Sequence, residues 1–138
     1  MSPDHDRFLL THHRKLDRWL QLGGHADGEP EVHRVALREA TEESGMYGFE
    51  LLHGPSPLMP LDLDVHRIPP HGDDPEHLHY DVRFLLRARF GEEPRGAGDE
   101  AHDVRWFSID ELEVVAPEAS ILRMGHKARA VLGRRGVV

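Results

Sequence analysis

The chain of 138 residues contains no cysteine. This absence excludes a disulfide framework, a thiolate zinc site and a cysteine nucleophile. Long apolar runs are also missing, because no stretch approaches the roughly 18 residues that predict a membrane-spanning helix. Residues 1–15 contain only a short apolar run and do not have the pattern of a secretory signal peptide. These absences predict a cytoplasmic protein without a membrane partner.

Positive charge is scarce, since 17 Lys and Arg residues stand against 25 Asp and Glu residues and give a formal net charge of −8. Such a surface repels polyanions, so no nucleic-acid duplex is expected as a partner unless cations are recruited. Hydrophobic residues make up 38% and charged residues 30%, which is typical of a globular protein rather than a disordered one. The length predicts a single domain over residues 1–138.

Hydrophobic periodicity and turn signals predict an α/β arrangement of the α+β type. The principal helix should begin near Pro30, a residue suited to the first helical position, and end at Gly45, a suitable C-terminal cap. The other predicted elements are strands at residues 7–12, 49–53, 61–68, 78–90 and 102–107, a short apolar piece at 19–22, a short helix opened by the capping-box spacing of Ser108 and Glu111, and a last helix from Pro117 to about Leu132.

Two of the predicted strands alternate polar and apolar residues. Residues 61–66 have the period of a half-buried strand. On the strand that follows, polar and apolar side chains occupy opposite faces. The polar face carries His77, His79 and Asp81, and the apolar face carries Leu78, Tyr80 and Val82. The polar face either contacts a substrate or metal, or is an ordinary strand face with hydrogen-bonded histidines.

The segment LREATEESG, residues 37–45, gathers negative charge at the end of the principal helix. Glu39, Glu42 and Glu43 stand at spacings that bring side chains onto one helical face, on the continuation of the apolar stripe of Val32 and Val35. The carboxylates repel one another and also face the negative end of the helix dipole. Burying them unpaired is costly. They are therefore either a solvated, frayed helix end or a site that needs cations.

Cations are favoured because the acidic residues extend the apolar stripe and because two glycines, Gly23 and Gly24, precede the helix in a loop that can expose backbone carbonyls. A carbonyl near Gly23 would add a ligand to those of the glutamates. Oxygen ligands without cysteine favour a hard cation such as Mg²⁺ or Mn²⁺. Mg²⁺ typically completes its shell with substrate phosphate oxygens, which indicates phosphoryl chemistry on a diphosphate.

The stretch from Gly23 to Met46 resembles the Nudix box, the signature of the Nudix hydrolase family. The matching residues at the expected spacings are Gly24, Arg38, Glu39, Ala40, Glu42, Glu43, Gly45 and Met46. The resemblance implies a Nudix-like mixed β-sheet sandwiched between helices and hydrolysis of a nucleoside diphosphate linked to another group X, giving a nucleotide and phospho-X. It also implies that divalent ions are held by Glu39, Glu42 and Glu43, with Arg38 fixing a glutamate through a charge-assisted bond, either single or bidentate.

The chain departs from the family pattern in two places. Pro30 stands where the first box glutamate is expected, between Glu29 and Glu31. In the family this glutamate usually braces the loop, and Glu29 is the candidate to replace it. The family also usually has a strand before the one predicted at residues 7–12. Either the sheet lacks this N-terminal edge strand or the coding start lies upstream. An exposed edge would be a pairing liability or the contact of a homodimer.

Further candidates lie outside the box glutamates. Glu100 occupies the region where many relatives place a further acidic ligand, and the general base is one of the box carboxylates or one from such a loop. His25, beside the glycines, is a candidate for contact with phosphate, and His79 for contact with substrate or metal. Weaker candidates are Glu92 and Glu93 as ligands and Trp19, Trp106 and Phe84 as base-stacking or core aromatics.

The favoured hypothesis is a metal-dependent Nudix hydrolase acting on a phosphoanhydride, with loops 53–60, 69–77 and 91–101 as the expected determinants of specificity. The alternative is a Nudix-fold nucleotide-binding or regulatory module with impaired catalysis, which Pro30 and the short N-terminal segment favour. A Nudix-fold isomerase of isoprenoid diphosphates is disfavoured, because the isomerase families of this fold use a cysteine and this chain has none.

Overall fold

The structure is a computed structural model that describes residues 1–52, 59–95 and 103–135, without the side chains of residues 134 and 135. Among these residues no helix combines the length and the apolar character needed to cross a membrane. The elements in chain order are β1 (Arg7–His13), β2 (Arg18–Gln21), α1 (Val32–Ser44), β3 (Glu50–Leu51), β4 (Asp62–Ile68), β5 (His77–Arg83), β6 (Leu86–Arg87), β7 (Val104–Ser108), α2 (Ile109–Val115) and α3 (Ala119–Arg135).

The central sheet has the strand order β2-β1-β7, and both strand pairs are antiparallel. Alternation along β1 sends Leu9 to one face and Leu10 to the other. Leu10 packs with residues of α2 and α3, including Leu112 and Ile121. Leu9 packs with Met46, which follows α1 and is fully buried. The sheet thus lies between α2 and α3 on one side and the C-terminal end of α1 on the other, as predicted for the α+β class.

Helix α1 begins two residues later than the sequence predicts. Glu31 is the residue that precedes the helix, so Pro30 lies outside it. The predicted end is confirmed, because Gly45 has φ 69° and its N–H bonds to the carbonyl of Thr41. A side chain at position 45 would be strained in this left-handed conformation.

The capping box that opens α2 is confirmed. The Glu111 side chain accepts the backbone N–H of Ser108 at 2.6 Å, and the Ser108 hydroxyl accepts the backbone N–H of Glu111 at 3.3 Å. Helix α3 begins at Ala119 rather than at Pro117 and extends to Arg135.

The predicted long strand at residues 78–90 is wrong, because it is divided into β5 and the two-residue β6. The predicted strand at 49–53 is reduced to Glu50–Leu51, and residue 53 lies outside the described residues. No strand precedes β1 within residues 1–52. Met1 lies against β6 instead, where its amino group donates to the Leu86 carbonyl at 2.7 Å and its carbonyl accepts the N–H of Ala88 at 2.9 Å.

Strands β4 and β5 form an antiparallel hairpin whose apolar face points to solvent. The register pairs Asp62 with Arg83 at one end and Ile68 with His77 at the other. The exposed apolar residues are Leu63, Val65, Leu78, Tyr80 and Val82, with 37–67% of their surface accessible. Since Asp62 and Arg83 on the opposite face are buried, the usual orientation of a half-buried strand is reversed here.

The reversal has an electrostatic cause. The side chain of Asp62 is 1% exposed and accepts bonds from Arg83 at 3.2 Å, from Arg123 at 2.9 and 2.8 Å, and from Lys127 at 2.6 Å. The bonds from Arg123, and then the ammonium of Lys127, hold the pKa of Asp62 well below its usual value. Because Arg123 and Lys127 lie on one face of α3, these ion pairs attach the helix to the hairpin.

Candidate active site

The Glu39 carboxylate lies directly against the backbone of Gly24. A Cβ added at Gly24 would stand 2.4 Å from Glu39 Cδ and 2.5 and 2.7 Å from its two oxygens. Ordinary van der Waals contact begins at 3.4 Å, so no residue with a side chain fits at position 24 while Glu39 keeps its place. The glycine therefore allows the carboxylate, which is 18% exposed, to approach the loop that precedes α1.

Glu43 is held to the same loop by a bond from the backbone N–H of Gly23 to its Oε1 at 3.0 Å. Burial, reinforced by the negative charges of Glu39 and Glu42, raises the pKa of Glu43 to about 7, although the Gly23 bond acts in the opposite direction. A raised pKa for a carboxyl group means that its negative charge is poorly compensated. Glu43 is thus a position where a cation would be stabilising.

Glu42 differs from the other two glutamates because it is exposed to solvent. Val32, at the start of the predicted inward stripe, is also exposed, while Val35 and Ala40 are buried. The helix projection is therefore correct for Glu39 and Glu43 and wrong for Glu42 and Val32. The buried face is rotated toward Ala40 and leaves Glu42 at its outer edge.

Arg38 connects the helix to the loop through one nitrogen. Its Nη2 lies 3.3 Å from Glu39 Oε1 and donates to the carbonyl of His25 at 3.2 Å. The structure therefore shows a single bond to Glu39 rather than the parallel pair of a bidentate contact. This arrangement makes Arg38 a brace that fixes the carboxylate relative to the loop.

Glu29 has a partner at the start of α1, since its Oε1 accepts the backbone N–H of Glu31 at 3.0 Å. The side chain of Glu31 points elsewhere and pairs with Arg34 at 2.7 Å. Glu29 therefore satisfies a backbone donor next to Pro30, which is the bracing function expected of the missing box glutamate.

The two candidate histidines lie close together. The rings of His25 and His79 are 5.9 Å apart between centroids, so β5 approaches the loop that carries Gly23 and Gly24. Glu100 lies outside the described residues. Glu92 and Glu93 line a separate cleft with Arg7 and Trp106.

Both tryptophans pack in apolar clusters, and Trp106 also borders the cleft described above. Trp19 packs edge-on against Phe107 with 4.8 Å between ring centroids, and Trp106 packs in the cluster of Leu9 and Met46. Phe84 is half-buried near the ring of His33.

The family model of the NUDIX domain matches residues 1–125. The chain belongs to the Nudix family. The prediction of a Nudix pyrophosphohydrolase is confirmed at this level, and the loop and helix described above are its Nudix box, Gly24–Met46.

Solved structures agree with the family assignment in fold. A Nudix-family hydrolase from Clostridium perfringens has a TM-score of 0.69 and 24% identity, covering 96% of this chain and 92% of that chain. An Ap4A hydrolase of C. elegans, solved as a binary complex, has a TM-score of 0.67 and 15% identity, covering 93% and 87%. A second structure of C. elegans Ap4A hydrolase has a TM-score of 0.63 and 16% identity, covering 91% and 86%. A search of curated proteins finds no significant match.

Beside the Nudix box, the structure brings together residues that the sequence did not single out as a group. Asp64 and His66 on β4 face Asp81 and His79 on β5. The sequence did contain a signal for this grouping. The segments DLDVH and HLHYD both alternate polar and apolar residues, and they lie on strands expected to pair. The sequence alone could not show which residues stand opposite each other, because a shift of one residue would move each set to the other face.

Proposed function

We propose that this Nudix protein hydrolyses the phosphoanhydride of a nucleoside diphosphate linked to a second group X, releasing a nucleotide and phospho-X. Glu39, Glu42 and Glu43 would hold Mg²⁺ or Mn²⁺, with a backbone carbonyl near Gly23 as a further ligand. The observation that carries the proposal is the approach of Glu39 and Glu43 to the glycine loop, where the Glu39 side chain is 18% exposed and Glu43 is half-buried.

The residues fit a hard divalent cation on three grounds. Their donors are carboxylate oxygens and, in the loop, backbone carbonyls. The raised pKa of Glu43 reflects negative charge without adequate compensation. Among the ion pairs of the described residues, Arg38 alone brings positive charge to the three glutamates. A diphosphate adds further negative charge and so increases the need for cations.

When bound, a divalent cation would neutralise the diphosphate and lower the pKa of an attacking water. Arg38 would hold Glu39 in one orientation, and the Gly23 N–H would do the same for Glu43. A positioned carboxylate would take the proton of the water. That base is one of the box glutamates or a loop carboxylate, for which Glu100 remains the candidate.

The proposed substrates are nucleoside diphosphate derivatives as a class, and a panel of compounds is needed to find the preferred one. Two structural neighbours are Ap4A hydrolases, which supports dinucleoside polyphosphates as members of a substrate panel. Nucleotide sugars, ADP-ribose and nucleoside triphosphates complete the panel. His25 and His79, 5.9 Å apart beside the box, are the proposed contacts of the substrate's phosphate or X group.

The test compares Glu42→Gln with Glu113→Gln across the panel in the presence of Mg²⁺. Both glutamates are exposed, so neither change should alter the free energy of unfolding by more than about 0.5 kcal/mol. Mutation of a residue that only supports a metal ligand typically lowers metal affinity or activity about 10–100-fold. Loss of a ligand itself should therefore lower kcat by at least about 100-fold. Glu113→Gln, on α2, should match the wild type.

Absence of turnover by the wild type on the whole panel would support the alternative, a nucleotide-binding module without catalysis. Equal activity of Glu42→Gln and wild type would contradict the assignment of the box glutamates. The single domain over residues 1–138, the cytoplasmic location and the homodimer stay predictions, and light scattering of the purified protein tests the last of them.

A further inference from the structure

A second cluster of side chains that could bind a metal lies on the face of the β4–β5 hairpin opposite its exposed apolar residues. The register places Asp64 opposite Asp81 and His66 opposite His79. Ligand atoms of Asp64, His66 and Asp81 lie within 4.8 Å of one another. The rings of His66 and His79 are 5.2 Å apart between centroids. Directly opposed carboxylates destabilise a strand pair, and positive charge near them offsets this effect.

Two arginines supply positive charge to these carboxylates. Arg123 Nη2 lies 3.0 Å from Asp64 Oδ1, and Arg83 Nη2 lies 3.5 Å from Asp81 Oδ2. Arg83 Nη2 is also 3.8 Å from Asp64 Oδ2. Bonds of this kind fix carboxylates that ligate a metal, since such ligands are themselves held by outer partners.

One oxygen of each aspartate also lies near an imidazole. Asp64 Oδ2 lies 3.5 Å from His66 Nδ1, and Asp81 Oδ1 lies 3.9 Å from His79 Nε2. Each strand therefore offers one oxygen and one nitrogen to the same space. The histidine side chains are 45% and 41% exposed and the aspartates 22% and 25%, which leaves a path for an ion from solvent.

We propose that Asp64, His66, His79 and Asp81 form a second metal site that takes a divalent transition metal of the Zn²⁺ class. Two nitrogen and two oxygen donors suit Zn²⁺, and imidazole selects against Mg²⁺. Zn–ligand distances of about 2.1 Å require ligand atoms about 3.4 Å apart in a tetrahedron. Closing the present separations requires rotation of the side chains, of which the two histidines are the more exposed. Binding of a metal here does not depend on the activity proposed for the Nudix box, although His79 belongs both to this site and to the proposed substrate contacts.

The cluster lies beside the loop that precedes α1, so a metal bound there would affect the stability of this region. The ring of His25, in the loop before α1, lies 5.9 Å from that of His79, and the carbonyl of His25 accepts the bond from Arg38. A metal bound by ligands from both strands would cross-link β4 and β5 and so stabilise the strand pair beside the box loop. The two metal sites would then be neighbours with different ion preferences.

The experiment is calorimetric titration of Zn²⁺ into tag-free protein in which Glu39, Glu42 and Glu43 are all replaced by glutamine. This background removes the box ligands, so that metal bound at the box does not contribute, and the histidine variants assign the remaining binding to the hairpin. His66→Ala should weaken binding on the order of 10–100-fold. His79→Asn is the second ligand variant and should behave alike. His126→Ala, an exposed histidine of α3, is the matched control and should leave the affinity unchanged.

Co²⁺ provides a second readout, because its visible absorption spectrum should change when imidazole and carboxylate ligands replace water. The proposal is overturned if the glutamine background binds no Zn²⁺, or if His66→Ala and His126→Ala bind it equally. Circular dichroism melts of each variant establish that any loss of binding comes from the ligand and not from unfolding.

Discussion

Replacement of Gly24 by alanine tests whether the position of the Glu39 carboxylate matters for function. The new methyl group would stand 2.4 Å from Glu39 Cδ, about 1 Å closer than the ordinary contact distance of 3.4 Å. The carboxylate is the end of a flexible side chain, so it can move away while the helix stays in place. We therefore expect a small change in thermal midpoint but a displaced metal ligand.

The size of the functional effect follows from that displacement. A misplacement of about 1 Å at a reacting centre can cost on the order of 100-fold in rate. Gly24→Ala should lower kcat/KM by about this factor on any substrate that the wild type hydrolyses, and Mn²⁺ affinity measured by electron paramagnetic resonance should fall with it. Gly24 is a positioning residue, so the metal-affinity measurement separates its effect from a change in substrate contact.

Gly23→Ala is the matched control because a Cβ at position 23 meets nothing within 4 Å. The substitution keeps both the backbone N–H that bonds Glu43 and the neighbouring carbonyl. It should leave activity and metal affinity close to the wild type. Equal losses in the two variants would show that loop stiffness, and not Glu39 placement, governs activity. Full activity of Gly24→Ala would refute the role given to Glu39.

Three further outcomes are expected. In EDTA, the free energy of unfolding should fall as pH rises from 4.5 to 7, because Glu43 binds its proton more tightly in the folded state than in the unfolded state. Denaturant titrations at several pH values measure this dependence, and Glu43→Gln should make it weaker. Asp62→Asn should cost about 3 kcal/mol, since it takes from the buried Arg83 guanidinium its nearest carboxylate, whereas the exposed Asp73→Asn should cost almost nothing. The Asp62 contribution should be intact above about pH 4 and fade below it. Mn²⁺ at 100 times its Kd should add about 2.7 kcal/mol of stability, visible as a higher thermal midpoint that the triple glutamine variant lacks.

Local signals in the sequence predicted the parts of the fold that local chemistry determines. Gly45 ends α1 in the left-handed conformation, and Ser108 with Glu111 opens α2, because each motif acts within a few residues. The predicted start of α1 at Pro30 is two residues too early, since a residue that suits the first turn of a helix equally suits the extended chain before it.

The orientation of the β4–β5 hairpin could not be predicted in this way. A period of two shows that a strand has two different faces, and apolar residues usually occupy the inner one. Here Asp62 takes the inner face because Arg123 and Lys127 of α3, more than 60 positions away in the sequence, supply its partners. The exposure of Glu42 has a similar origin, since the packing of α1 sets which part of its charged stripe faces outward.

The outward apolar face of the hairpin has a consequence for the protein's behaviour in concentrated solution. Within the described residues, β4 and β5 each pair with one strand only, so both keep an open hydrogen-bonding edge beside exposed side chains such as Leu63 and Tyr80. At pH 7 a net charge of −8 keeps molecules apart. Near the isoelectric point of about 5.8 that repulsion vanishes, and protonation of the 12 histidines contributes to its loss. Mild acid is therefore the condition in which colloidal stability, rather than folding, limits the concentration this protein can reach.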